Sequence, residues 1–347
     1  MNTYVDQVTW HMALENVRDA LKATGVVVGL SVGDETPQIL ASGTSDRING
    51  QTLQPHNRFR IGSLTKLFTA VVTLQLIEQG KLDYGQTIDT WLPQVPHSAE
   101  ITIEHLLRHT SGLFNYTQSQ AFLAAAGSRQ SAWSAEELIA YATPENHAFT
   151  PGSSWLYSNT NYILLGMIIE KVTQQALVSV FRAYVFAPLH LNNTFFDGLE
   201  AIPHGFVPGY GPNPNDPTQQ IEMTNLMHVS AAGSAGALVS TVTDLLQFSQ
   251  ALFQNQVLQP ATMMNICTVN EPLFPLVTGY GMGMVRMNLG GKTAYGHLGN
   301  IPGYSAMLAY FPAEETHLVV LTNQDYSRLP SGEVNVEALA KVVLQAL

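Results

Sequence analysis

Strand-like apolar runs lie at the two ends of the chain, and segments of helical periodicity fill the stretch between them. Near the start, residues 26–32 and 39–42 read as strands joined by the turn sequence GDETP, and residues 58–61 as a third short strand leading into Gly62. After about residue 275 strands return: 279–286, 292–297, 304–311 and 316–322 read as an antiparallel meander, closed by a helix from about Val334. The middle is different. A helix from about Ser63 to Gln79 is apolar at Leu64, Leu67, Phe68, Val71 and Leu74, and residues 103–109, 135–141, 161–175 and 244–253 repeat the 3.6 period. One more helix, residues 8–23, precedes the first strand, with Trp10, Leu14, Val17 and Leu21 at helical spacing. The pattern predicts an α+β fold. Residues 1–62 and 275–347 would form a body with an antiparallel sheet flanked by helices, and 63–274 an inserted, mainly helical region.

The length of 347 residues suffices for a substantial core, and 46% hydrophobic residues suit a globular chain. Charged residues are only 12%, about half of the usual share of roughly 25%, so Asn, Gln, Ser and Thr take their place on the surface. A net charge of −11 leaves no electrostatic footprint for nucleic acid or an anionic membrane. The longest apolar runs, around 67–77 and 163–169, are broken or too short to span a bilayer, so no transmembrane segment is expected. Cys267 is alone, which excludes an intrachain disulfide and a thiolate metal site. The opening MNTYVDQVTW lacks the basic start and apolar stretch of a secretory leader. A cytoplasmic place is expected if the chain is complete, an extracytoplasmic one if a leader was removed.

Ser63-Leu64-Thr65-Lys66 is an S-x-x-K where a strand runs into a helix, which puts both side chains on one helix face. A hydroxyl becomes a nucleophile when a neighbour takes its proton, and a lysine of lowered pKa can do so. A helix start also offers backbone N–H groups to a developing oxyanion. Tyr157-Ser158-Asn159 is the only Y-x-N, in a loop before a helix. A phenol near an ammonium can lose its proton below its usual pKa of about 10 and act as a general base. His297-Leu298-Gly299 is the only H-x-G, on a strand of the C-terminal meander. There a cationic or proton-shuttling side chain would face the site, and the glycine would let substrate lie against the strand edge.

Other patterns compete. Gly29-Leu30-Ser31-Val32-Gly33 matches G-x-S-x-G, but a turn and a second strand follow where a nucleophile elbow needs a helix, so Ser31 reads as an ordinary strand residue. His105 and His109 stand at i and i+4, yet no carboxylate or cysteine completes a metal ligand set, so their role reads as structural and no metal or cofactor is expected. Lys292-Thr293-Ala294 competes with His297-Leu298-Gly299 on the same strand, but its third residue carries a Cβ where the latter has glycine, so His297 is chosen.

These motifs occur within FRIGSLTKLFTAVVTLQLIEQGKL at 59–82, HLLRHTSGLFNY at 105–116, TPGSSWLYSNTNYILLGMIIEKVT at 150–173, SAGALVSTVTDL at 234–245, GYGMGMV at 279–285 and YGHLGNIPGY at 295–304. Together the segments resemble the penicillin-binding protein and class C β-lactamase family, most closely its serine D-alanyl-D-alanine carboxypeptidase branch. The resemblance implies a β-lactamase/DD-peptidase-like fold and a serine hydrolase. Ser63 would form an acyl-enzyme, and Lys66 and Tyr157 would manage its proton. Asn159 would hold the substrate amide, beside a strand carrying His297, Leu298 and Gly299. The backbone N–H groups of Ser63 and Asn300 would form the oxyanion hole. The substrate would be a small molecule or peptide with an amide, lactam or ester bond.

Two positions depart from the family pattern. Leu298 stands where a Ser or Thr hydroxyl usually binds the substrate carboxylate, and Val285 where carboxypeptidases of this branch offer an arginine. Arg286 is adjacent, but neighbouring strand residues point to opposite faces. Charge-assisted hydrogen bonds contribute about 1.5–3 kcal/mol each, so losing both groups would weaken carboxylate substrates by orders of magnitude. A peptidase-like or amidase-like hydrolase is the first expectation. An esterase or acyl transferase on the same scaffold is the second, and a non-catalytic ligand-binding receptor the third.

Overall fold

Both faces of the strand Gly25–Val32 (β1) are apolar, so neither can be left to water. Val26, Val28 and Leu30 pack on one side with Trp10 and Leu14 of the helix Gln7–Leu21, and with Val336 and Leu339 of the helix Asn335–Gln345. Val27 packs on the other side, against the helical region. Gly29 belongs there too: a Cβ at this position would come within 2.2 Å of Val242 in the helix Val242–Phe253. The chain ends meet here, because β1 pairs antiparallel with Thr316–Thr322 (β13), with Val26 opposite Thr322 and Val32 opposite Thr316.

The computed structural model describes residues 7–33, 35–144, 146–213, 215–268, 276–325 and 335–345. The pair β1 and β13 lies inside a larger sheet with Gln38–Asp46 (β2), Gln51–Thr52 (β3), Val277–Tyr280 (β9), Val285–Leu289 (β10), Lys292–Ile301 (β11) and Tyr304–Phe311 (β12). The eight strands are antiparallel, in the order β3-β2-β1-β13-β12-β11-β10-β9. Two helices cover one face and the mainly helical region covers the other. A smaller sheet joins Phe59–Arg60 (β4) to Phe195–Phe196 (β5) through Leu238–Ser240 (β8), and Tyr210–Asn213 (β6) pairs with Asp216–Glu222 (β7). The fold class is α+β, as the sequence predicts.

Residues 279–286, expected as one strand, are a hairpin. β9 ends at Tyr280 and β10 starts at Val285, with the N–H of Gly281 bonded to the Met284 carbonyl at 2.7 Å. Gly283 has φ +72°, a left-handed conformation open to glycine, so the apolar run continues through a turn that periodicity alone does not register. The helix expected from Ser63 begins as a 3₁₀ turn, Gly62–Leu64, and continues as Thr65–Glu78, buried on nearly every side. Such a helix runs through the middle of the molecule rather than along its surface. The C-terminal helix is described from Asn335, and its expected start at Val334 lies outside the described residues, as does the boundary near 275.

Candidate active site

The turn that carries Ser63 depends on two glycines. Gly62 has φ +52°, and a Cβ there would stand 2.7 Å from the backbone nitrogen of Asn300. Gly299 lies on β11, and a Cβ on it would come within 1.9 Å of the Ile61 carbonyl oxygen. Only two bare backbones allow β11 to press onto the turn that carries Ser63. The backbone of Asn300 is thereby brought beside that of Ser63.

Lys66, one helical turn after Ser63, is completely buried. Its Nζ is 3.0 Å from Ser63 Oγ, 2.7 Å from Asn159 Oδ1 and 2.7 Å from the Ala235 carbonyl. Burial without a carboxylate partner drives its pKa well below the usual lysine value, toward the neutral amine. Asn159 Oδ1 and the Ala235 carbonyl can only accept, so they take the two protons of that amine. In the neutral form a lone pair is then left for Ser63, to whose Oγ the ammonium form would donate.

Tyr157 hydrogen-bonds Ser63, and its ring lies over Lys66 Nζ at 4.9 Å. The phenol is held on its protonated side. Burial pushes the Tyr157 hydroxyl up, and the Ser63 hydrogen bond opposes this only in part. Burial thus moves the two groups in opposite senses, Lys66 toward its neutral amine and Tyr157 toward its neutral phenol.

His297, expected as a cationic or proton-shuttling side chain, is buried on β11. It is 3% exposed, and burial pushes its pKa well below the ordinary histidine value despite its bond to the Leu298 carbonyl. The ring is neutral at physiological pH. Asn159 sits at the start of the helix Asn159–Thr173, with Oδ1 on Lys66 and Nδ2 donating to Thr117 Oγ1 at 3.2 Å. Its amide is therefore engaged on both ends in the free protein.

Two cavities share Ser63 and Asn300. One, about 270 Å³, is walled by Tyr116, Phe122, Leu123, Asn159, Met227 and Ile301. The other, about 220 Å³, is walled by Trp155, Val277, Tyr280, Val285, His297, Leu298 and Gly299. Neither has an acidic or basic side chain among its described lining residues, apart from the neutral imidazole of His297. Leu298 and Val285 thus face one cavity together, whereas Arg286 turns away and donates to Thr278 Oγ1 at 3.1 Å and the Thr278 carbonyl at 2.9 Å.

The rival motifs lie elsewhere. Ser31 is on β1, paired opposite His317. Lys292 forms an ion pair with Glu314 at the start of β11. His105 closes a capping box with Thr102, while His109 ends the helix Ile103–Arg108 in a left-handed conformation, so the two do not share a helix face. Among the described residues, no group of three or more His, Cys, Asp or Glu is placed to hold a metal ion, and no single helix is long and apolar enough to cross a membrane. Sequence reasoning missed three site components. The Ala235 carbonyl has no side-chain signal. Trp155 lies two residues before Tyr157, and Tyr280 falls in the hairpin read as one strand.

Residues 13–341 match the Beta-lactamase family. Over 295 residues the chain is 30% identical to Penicillin-binding protein 4* of Bacillus subtilis (strain 168), a match that covers 82% of this chain and 64% of that protein. The chain therefore spans slightly less than two thirds of that relative's length. The structure of D-amino acid amidase from Ochrobactrum anthropi SV3 superimposes with a TM-score of 0.90 at 26% identity, covering 98% of both chains. That of D-stereospecific amidohydrolase from Streptomyces sp. gives a TM-score of 0.84 at 31% identity, covering 97% of this chain and 98% of the other. With the fold shared along its whole length and the family match running from the first helix to the last, this chain belongs to the Beta-lactamase family.

Proposed function

We propose that this protein is a serine hydrolase that forms an acyl-enzyme on Ser63 from neutral amides and esters. One observation carries the reading: a fully buried Lys66 amine 3.0 Å from Ser63 Oγ, its pKa lowered by burial, where two uncharged cavities meet. Lys66 takes the Ser63 proton as the oxygen attacks the carbonyl carbon. The N–H groups of Ser63 and Asn300 receive the oxyanion, and Tyr157 passes its proton to the departing nitrogen or oxygen. Asn159 exchanges its bond to Thr117 for one to the substrate amide. Water then attacks the acyl-enzyme with the same two residues moving protons in reverse. Similarity to D-amino acid amidase and a D-stereospecific amidohydrolase supports amide bonds as substrates.

The cavity around Leu298 and Val285 would take an uncharged leaving group. A free carboxylate there would lose its water shell and find no cation, which favours amides and esters over acyl-D-Ala-D-Ala peptides and β-lactams. An esterase is the second reading, favoured by the same apolar wall.

Mass spectrometry after fluorophosphonate treatment tests the nucleophile. One adduct per chain is expected, on the peptide carrying Ser63 and absent from folded Ser63→Ala. A kcat/KM comparison of neutral amides, short esters and acyl-D-Ala-D-Ala then ranks the substrates. Adduct formation on Ser31, or efficient D-Ala release, would refute the respective assignment.

A further inference from the structure

We propose that His109 and Tyr280 are positioning residues: a one-directional chain of hydrogen bonds through them holds the loop of Tyr157 and Asn159 in register with the strand of His297 and Asn300. The inference rests on the reading of Ser63 as nucleophile, but its geometry can be tested apart from activity.

His109 is fully buried, and its left-handed backbone (φ 60°) at the end of the helix Ile103–Arg108 turns the ring inward. Its Nδ1 faces the Ser158 N–H at 3.3 Å and Asn161 Nδ2 at 2.9 Å. A backbone N–H can only donate, so Nδ1 is an acceptor and the neutral ring carries its proton on Nε2. Asn161 is oriented in turn by Ser111, whose hydroxyl donates to Oδ1 at 2.6 Å. His109 Nε2 lies 3.1 Å from the Tyr280 hydroxyl and donates to it.

A hydroxyl that accepts there has its own proton for another partner. Two acceptors are in reach, the Tyr162 oxygen and His297 Nε2, the latter at 3.4 Å. Tyr162 gives its own proton to the Leu107 carbonyl. Imidazole nitrogen is a stronger base than a phenol oxygen, so the Tyr280 proton goes to His297. The other nitrogen of His297, Nδ1, sits 2.5 Å from the Leu298 carbonyl, which can only accept, so Nδ1 is protonated and Nε2 is bare. The two histidines therefore hold opposite tautomers, and every proton points one way: Asn161 to His109, to Tyr280, to His297, to Leu298. Burial pushes both imidazoles below their ordinary pKa, which keeps each neutral and the direction unchanged.

The ends of the chain lie on the two halves of the site. His109 holds the Ser158 N–H, between Tyr157 and Asn159, and its carbonyl accepts from the Leu156 N–H at 3.0 Å. Its ring also lies 4.4 Å from that of Tyr157. His297 holds the Leu298 carbonyl, one peptide before Gly299 and two residues before the Asn300 N–H. The link at 3.4 Å is the longest of the chain.

Histidine-specific ¹H–¹⁵N correlation on the unmodified protein at pH 7 should show one buried neutral ring protonated on Nε2 and one on Nδ1. Tyr280→Phe should move the Nε2 signals of both and leave the remaining histidines unchanged. In the same variant, acylation of Ser63 by a fluorophosphonate and kcat on a p-nitrophenyl ester should fall roughly tenfold, with KM within about twofold. Equal tautomers in the two rings, a cationic ring at pH 7, or wild-type acylation by Tyr280→Phe would overturn the proposal. If Tyr280→Phe does not fold, the tautomers of the unmodified protein decide. Should Ser63 fail to react at all, the hydrolase reading falls, whereas the tautomers still test the chain.

Discussion

Lys66 Nζ has three polar neighbours and, as a neutral amine, two protons to give. In the proposed mechanism that mismatch makes it the base: Asn159 and Ala235 take the protons, and Ser63 faces what remains. Because burial lowers the lysine pKa, the active basic form is present above the lowered pKa and is lost as pH falls through it. The acid limb of kcat/KM should therefore lie well below pH 10.5, and Lys66→Arg, whose guanidinium stays charged, should lower kcat by roughly 10²–10⁴. A pH–rate profile that levels only at pH 10 or above would contradict this. At Leu298 the same scale governs selectivity. Leu298→Thr adds one hydroxyl to the apolar cavity and should raise penicillin acylation about tenfold while ester hydrolysis changes less, since one hydrogen bond to a charged group is worth roughly 1.5–3 kcal/mol. Stopped-flow acylation by both substrate types measures the ratio, and an equal change in both would count against it.

Among the elements, the contact of β11 with the turn Gly62–Leu64 matters most for the chemistry. A methyl group on Gly299 would overlap the Ile61 carbonyl at 1.9 Å, and backbone cannot give way as a flexible side chain can. Gly299→Ala should destabilise the fold by about 1–3 kcal/mol, the usual range for overpacking. The strand would also move off the nucleophile turn, lowering kcat by roughly 10². Gly85→Ala is the control, since its Cβ would stand 3.5 Å from Asp83 Oδ1, an ordinary contact. Urea midpoints and kcat for both variants decide the matter, and a Gly299→Ala enzyme as active as the control would show that β11 need not touch the turn.

At the scale of the whole molecule, the buried histidines set the response to acid. His317 lies on β13, 4% exposed, bonded to Ser249 Oγ at 2.8 Å, and burial lowers its pKa to about 4. The unfolded chain, with an ordinary histidine near 6.5, binds the proton first. Stability is thus full above pH 6.5 and falls as pH drops toward 4, by about 3 kcal/mol for this group, with His297 acting in the same direction. His317→Gln should reduce the loss of stability between pH 7 and pH 4.5. Urea unfolding at both values tests this, and an unchanged difference would assign the acid sensitivity to other groups.

The sequence by itself determined the α+β class, the meeting of strands from both chain ends, and the residues gathered at Ser63, because apolar period and motif spacing are local properties. Its strands at 304–311 and 316–322 coincide with β12 and β13, which are buried along nearly their whole length. The hairpin at 281–284 escaped it, since glycines among methionines and valines interrupt no apolar run. Only the tertiary structure decided the protonation states. Those of Lys66, Tyr157 and His297 depend on how completely other elements exclude water from them, and on a carbonyl at Ala235 that has no side chain to announce it. The chain from His109 to Leu298 is likewise invisible in sequence. It joins three segments separate along the polypeptide, and its direction follows from which atom of each pair has a proton to give.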